Sequence, residues 1–157
     1  MASAQHYPLA TADRAQRRCG PRRPCSGDTA ACPRLVTIAN GADVLVHEGL
    51  SQNLVAIQRE AALRHGRANL AAILHDILSY HTTPEQAAGE AEQAHVRYLL
   101  FTHVIPPLPM TALEGPWLGR SRSLFHGTIR VGHDGDFLSL PAGTSEIHYT
   151  NRLRVFL

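Results

Sequence analysis

The chain has 157 residues, of which 44% are hydrophobic and 18% charged, enough apolar material for one globular domain and too much for a disordered or fibrous chain. All fifteen basic residues are arginine and the net charge is only +2, so charge alone does not predict nucleic-acid binding. No run reaches the ~18 apolar residues of a membrane helix, and none follows the pattern of a signal peptide, so we expect a cytoplasmic protein without a membrane partner.

Residues 1–25 lack helical or alternating periodicity and concentrate basic charge. Five arginines and three prolines fall in this stretch. We expect a poorly ordered extension, since blocks of like charge are usually solvated. A transit peptide is the alternative, but Pro21 and Pro24 would break the amphipathic helix that it requires. The three cysteines, all within the first 32 residues, fit neither a disulfide framework nor paired zinc motifs, and we expect reduced thiols.

From Ser26 to about residue 144, apolar strands alternate with amphipathic helices. This pattern predicts an α/β domain, with residues 145–157 as a C-terminal tail. A tight turn at residues 26–29 precedes a helix at about 33–39, and the β-branched run at residues 43–47 reads as a buried strand. Apolar residues at helical spacing predict helices over 52–64 and 68–78.

The second half of the domain begins with a strong helix start. Thr83 is the expected N-cap, followed by proline and acidic residues, and the helix should reach about His95. A buried strand over 97–102 then ends at His103, and three prolines make residues 106–109 a rigid loop. Thr128–Val131 and residues 137–140 are expected to form a β-hairpin, with Asp134-Gly135 supplying the turn.

Three histidines lie at predicted strand ends or helix entrances: His47, His81 and His103. Loops at strand ends are where metal-binding and catalytic side chains gather in α/β folds. One histidine so placed is more often structural, so a functional site is indicated only where several such histidines occur together with carboxylates. Asp28 is carried by the early turn, and Glu48 directly follows His47.

Four motifs occur in a fixed order: Ser26-Gly27-Asp28-Thr29, a strand into His47-Glu48, His81-Thr82-Thr83 opening a helix, and a strand ending in Thr102-His103. This ordered set resembles the metallo-β-lactamase superfamily, on the branch that contains ribonuclease Z. The resemblance covers most of residues 26–140. It implies the C-terminal half of a four-layer αββα sandwich, in which two sheets pack face to face with helices outside.

The resemblance also implies roles for four residues. Asp28 matches a carboxylate that bridges two zinc ions, and His103 matches a histidine ligand of one of them. Glu48 and His81 match a catalytic pair, in which the carboxylate orients the imidazole and keeps it charged so that it can bond a phosphate or protonate a leaving group. The implied reaction is metal-assisted hydrolysis of a phosphodiester or other ester, with RNA among the candidate substrates.

The chain contains no His-x-His, although the family builds most of its metal site from an upstream His-x-His-x-Asp-His motif. We therefore expect a truncated form that is inactive alone and holds its two zinc ions poorly. Such a form would expose apolar sheet surface, through which homo-oligomers could form. A non-catalytic interaction protein and a general metallo-hydrolase of another ester are the alternatives. A distinct hydrolase using His75-Asp76 or His133-Asp134 is a weaker one, because adjacent residues face apart.

Overall fold

A computed structural model describes residues 24–153 of the chain. Its helices are α1 (Pro33–Ala39), α2 (Gln52–Arg64), α3 (Ala68–Asp76), α4 (Pro84–Gln93), α5 (Glu114–Leu118) and α6 (Ser121–Leu124). Its strands are β1 (Val44–Leu50), β2 (Tyr98–Ile105), β3 (Thr128–Val131), β4 (Asp136–Ser139) and β5 (His148–Asn151). The predicted α/β class is confirmed. The extension expected over residues 1–25 lies outside the described residues, apart from Pro24 and Cys25.

The main sheet has three parallel strands in the order β1-β2-β3. β1 pairs with β2 from Val44 opposite Tyr98, and β2 pairs with β3 from Tyr98 opposite Thr128. The hairpin predicted between residues 128 and 140 is therefore wrong. β3 runs parallel to β2, and the turn after it leads instead into β4, which pairs antiparallel with β5. The segment expected as a tail thus contains a strand.

One face of the main sheet carries the larger part of the core. Side chains alternate along a strand, so Leu45, Leu99 and Ile129 point to the same side, where all three are buried. Helices α1, α4 and α5 cover this side, and α4 contributes a stripe of small residues, Ala87, Ala88, Ala91 and Ala94. Small side chains let the helix lie close to the strands.

The opposite face of the sheet is less covered. Val46 and Leu100, which pair across β1 and β2, are both only half-buried. The hairpin β4–β5 contacts β3, where Arg130 stacks on the Tyr149 ring with 3.6 Å to its centroid. One sheet with helices on one face is what half of a four-layer sandwich supplies, and the half-exposed face is where its second sheet would pack.

Local sequence signals account for most of the helix and strand bounds. Thr83 caps α4 through a capping box: its side chain accepts from the Gln86 backbone N–H, and the Gln86 side chain accepts from the Thr83 backbone N–H. Both long strands extend three residues beyond their predicted ends, so Glu48 and His103 lie within strands rather than after them. Short helices α5 and α6 were not predicted.

A second, smaller apolar cluster packs helices α2 and α3 against the ends of β1 and β2. Its buried members are Leu50, Val55 and Leu74, with Ile105 packed against them. Among residues 24–153, no helix is long and apolar enough to cross a membrane.

Candidate functional site

The four residues singled out from the sequence come from four segments that meet around the C-terminal part of β1. Asp28 lies in the loop before α1, Glu48 in β1, His81 just before α4, and His103 in β2. Parallel strands present their C-terminal ends at one edge of a sheet, and the loops that follow converge there. The structure therefore brings the four side chains into one neighbourhood.

Glu48 and His81 form a buried pair. The His81 Nδ1–H group donates to Oε2 of Glu48 at 3.1 Å, and the Thr82 backbone N–H donates to Oε1 at 2.7 Å. Both side chains are at least 96% buried. Because each carboxylate oxygen already accepts a bond, Glu48 is fixed in place, and it fixes the plane and tautomer of the imidazole in turn.

A backbone irregularity in β2 places His103 beside this pair. The register between β1 and β2 shifts after His47, where Gly49 pairs with Val104 instead of His103. His103 itself has φ +45°, a left-handed conformation that costs a non-glycine residue energy. Bulges of this kind re-aim a side chain next to active sites. The His103 ring lies 5.4 Å from the His81 ring, centroid to centroid.

Asp28 joins the site through His103. Its Oδ1 lies 2.8 Å from His103 Nδ1, and the two side chains are 63% and 48% exposed. This openness contrasts with the enclosure of Glu48 and His81. Asp28 and His103 are thus the members of the set that solvent, a metal ion or a substrate reaches first.

The loop that carries Asp28 is held by bonds to β1 and to the start of α4. Cys25 bridges Val46 in parallel fashion, so the residues before the loop lie along β1. The Glu48 backbone N–H donates to Oγ of Ser26 at 3.1 Å, and the Thr82 hydroxyl donates to the Thr29 carbonyl at 2.5 Å. Ser26 and Thr82 are both buried. The loop is therefore tied to the same two segments that carry the Glu48–His81 pair.

A second buried histidine–carboxylate pair, which the sequence analysis missed, lies behind the first. His47 Nε2 is 3.2 Å from Oε2 of Glu90, and His47 Nδ1 is 2.7 Å from the Glu48 carbonyl oxygen. Glu90 also accepts from the Cys32 backbone N–H at 2.5 Å. A signal existed, because Glu90 falls three residues after Ala87 and four before Ala94, on the buried stripe of α4. A carboxylate there requires partners.

The donor set of the described residues fits part of a zinc site. Glu48, His81 and His103 offer ligand atoms within 4.8 Å of one another. Glu48, however, already accepts one hydrogen bond at each oxygen and is buried, which suits it to orienting His81 better than to holding a metal. Asp28 and His103 remain as accessible oxygen and nitrogen donors, one fewer than the three protein ligands of a catalytic zinc ion. These two alone do not make a complete site.

The weaker alternatives from the sequence are placed elsewhere. His133 Nε2 lies 2.7 Å from Oε1 of Glu114, and its backbone N–H donates to Asp136. His75 and Asp76 are exposed at the end of α3. Neither adjacent pair forms a cluster of three or more metal-binding groups among residues 24–153.

Comparison with known proteins gives three informative relatives, each aligned over 109 residues, or 69% of this chain. Ribonuclease Z of Mycobacterium sp. (strain KMS) is 32% identical, with 34% of its length covered. Ribonuclease Z of Mycobacterium avium (strain 104) is 33% identical, with 35% covered. A putative ribonuclease Z of Mycobacterium tuberculosis (strain CDC 1551 / Oshkosh) is 31% identical, with 43% covered. The chain spans about a third of the length of the first of these relatives.

Two solved structures are also similar to the chain. The metallo-beta-lactamase fold protein YhfI from Bacillus subtilis is 13% identical with a TM-score of 0.49, over 82% of this chain and 39% of that one. A long form RNase Z from yeast is 22% identical with a TM-score of 0.39, over 70% of this chain and 12% of that one. No family model matches the sequence.

Proposed function

Because this chain is related to the ribonucleases Z of the metallo-β-lactamase superfamily, we propose that it is part of a metal-dependent hydrolase that cleaves phosphodiesters. The relatives' name favours RNA as the substrate class, with another ester as the alternative. We place the protein in the cytoplasm. The observation that carries the proposal is the convergence of Asp28, Glu48, His81 and His103 from four segments into one neighbourhood.

Asp28 and His103 are the proposed zinc donors. A carboxylate oxygen and an imidazole nitrogen are both usual zinc ligands. In a two-zinc site, the metal lowers the pKa of bound water and stabilises the attacking and leaving oxygens. Asp28 would supply its carboxylate oxygens to such a site, and His103 an imidazole nitrogen. The left-handed backbone of His103 is then a local strain that serves to aim its ring.

His81 is the proposed acid. Its Nδ1–H is committed to Glu48, so Nε2 is the ring nitrogen left for a substrate. A proton on Nε2 would be donated to a phosphate oxygen or transferred to the leaving oxygen, while Glu48 holds the ring in place. The burial of the pair excludes water from the hydrogen bond between them.

In this proposal the remaining zinc donors come from a further polypeptide segment that carries the family's upstream ligands. The family's His-x-His-x-Asp-His motif has no counterpart among the ten histidines here. The half-exposed face around Val46 and Leu100 is the proposed docking side of that segment, or of a second copy of the chain. A truncated, non-catalytic interaction protein is the second candidate, and the shortage of donors favours it.

A graft distinguishes the two candidates. Residues 24–153 replace the corresponding part of a mycobacterial ribonuclease Z, which supplies the upstream ligands, and zinc content and hydrolysis of a simple phosphodiester are measured. A working site gives a graft that binds zinc and turns over substrate. A folded graft that binds zinc but has no activity contradicts the catalytic proposal and supports the interaction protein. Reading the DNA upstream for a His-x-His-x-Asp-His coding stretch is an independent check.

A further inference from the structure

We infer that Glu90 is a positioning residue for the candidate site, because it ties the loop carrying Asp28 to the back of β1. This role is separate from those of Asp28, Glu48, His81 and His103. It adds to the proposed function a residue that holds the Asp28 loop against β1. Only its relevance to catalysis rests on the proposed function. The geometry itself is tested without metal or turnover.

The two oxygens of Glu90 serve different segments. Oε1 accepts from the backbone N–H of Cys32, which lies four residues after Asp28 at the start of α1. Oε2 faces Nε2 of His47 on β1. One side chain from the middle of α4 therefore joins the end of the Asp28 loop to the strand that carries Glu48. The carboxylate side chain is 90% buried and that of His47 completely so, which shields the carboxylate from most of the solvent.

The hydrogen-bond pattern around His47 shows what Glu90 must provide. The Glu48 carbonyl only accepts, so His47 Nδ1 must donate to it. The hydrogen bond between His47 Nε2 and Oε2 of Glu90 then requires one proton, carried by either atom. A glutamine at position 90 would keep this arrangement, since its oxygen accepts from Cys32 and its NH₂ group donates to Nε2. A methionine of similar length would provide neither bond.

Glutamine and methionine at position 90 therefore distinguish a tethering role of the Glu90 side chain from a role of its negative charge. If Glu90 acts by tethering, Glu90→Gln retains the Asp28 loop and Glu90→Met releases it. If its charge is what matters, both substitutions release the loop. Glu92→Met is the matched control on the same helix, because Glu92 is more exposed and bonds His126 at the surface.

The experiment measures three properties of the full chain and these variants. They are amide hydrogen exchange at Cys32, the labelling rate of the Cys32 thiol with Cys25 as internal reference, and the ring NMR resonances of His103. Cys32 is half-buried and Cys25 exposed. In Glu90→Met we expect Cys32 exchange and labelling to rise about tenfold, because the Cys32 N–H loses its hydrogen-bond acceptor. The His103 resonances should move as they do in Asp28→Asn.

Glu90→Gln and Glu92→Met should match the unsubstituted chain in all three measurements. The inference is overturned if folded Glu90→Met keeps Cys32 protected, or if Glu90→Gln releases Cys32 as strongly as Glu90→Met does. It is also overturned if Cys32 is released while the His103 resonances stay in place. Should circular dichroism show that Glu90→Met does not fold, Glu90→Gln decides: a protected Cys32 supports the tether, and a released one overturns it. An inactive graft leaves all of these outcomes unaffected.

Discussion

His81 and Glu48 lie 33 residues apart in the chain, yet Nδ1 of one is 3.1 Å from Oε2 of the other inside the fold. A buried polar group without a hydrogen-bond partner is costly, so the two side chains depend on each other. The contact also joins the end of β1 to the start of α4, where the capping box fixes the helix. This pair is the rigid part of the candidate site, and Asp28 and His103 are its accessible part.

The close approach of β1 to α5 makes Gly49 intolerant of a side chain. A Cβ there would lie 2.6 Å from Cη2 and 2.9 Å from Cζ2 of Trp117, whose ring is almost fully buried. We expect Gly49→Ala to lower the free energy of unfolding by about 1–3 kcal/mol through overpacking. Gly89→Ala is the opposite control: the position is helical with no atom within 4 Å, so stability should rise by about 0.5–1 kcal/mol. Urea denaturation measures both, and equal effects of the two would contradict the packing described here.

The backbone at His103 should be relieved by glycine. Its φ of +45° costs an L-residue about 1–2 kcal/mol, and glycine avoids that cost. We therefore expect His103→Gly to be more stable than His103→Ala by about 1 kcal/mol, although both remove the imidazole. His95, with φ +53° just after α4, should show the same glycine preference without involving the site. Thermal unfolding of the four variants checks this, and an alanine variant as stable as its glycine counterpart at position 103 would argue against strain there.

Acid should weaken the β4–β5 hairpin through Asp136. Burial opposes its ionisation, but hydrogen bonds from the Tyr149 hydroxyl, the His133 backbone N–H and the Asn151 amide outweigh that effect and lower its pKa below the ordinary 3.8. A lowered folded-state pKa contributes stability above pH 3.8, which is lost as the pH falls through the lower folded value.

Asp136→Asn should accordingly be less stable than the unsubstituted chain at neutral pH, with the difference narrowing below about pH 4. Asp134→Asn, an exposed neighbour, is the control and should leave the pH profile unchanged. Unfolding measured in a series of buffers tests the prediction. A constant difference across the series would show that the Asp136 charge does not contribute.

The elements that the sequence predicted well are those fixed by neighbours in the chain. The bounds of α2 were predicted as found, and Thr83 was identified as the cap of α4 because both signals are local. The hairpin was wrong because Asp134-Gly135 indicates a turn without saying which strands flank it. Strand pairing depends on tertiary contacts, and β3 pairs in parallel with β2 rather than with β4.

The site was predicted in part for the same reason. Motifs placed Asp28, Glu48, His81 and His103, whose roles stay predictions. Glu90 was not singled out: its place on the alanine stripe of α4 indicates burial, but only the structure shows its partners, His47 and Cys32.

Metal binding by the chain alone should be weak. Asp28 and His103 leave half or more of a tetrahedral coordination sphere to water, and structural or catalytic zinc needs three or four protein ligands. After dialysis at neutral pH we expect less than stoichiometric zinc by atomic absorption, and no turnover of a simple phosphodiester. Zinc retained one-to-one together with measurable turnover would refute the claim that the described donors are incomplete.

The most direct test of the Glu48–His81 pair is a double-mutant cycle in the graft that carries residues 24–153. Glu48→Ala and His81→Ala should each lower the rate of phosphodiester hydrolysis by roughly 10²-fold, the scale of a positioned acid, without changing the zinc content. Because the residues act as one unit, the double variant should be little slower than either single one. Exposed Glu60→Ala is the control and should leave the rate unchanged. Fully additive losses, or loss of zinc on either substitution, would contradict the account.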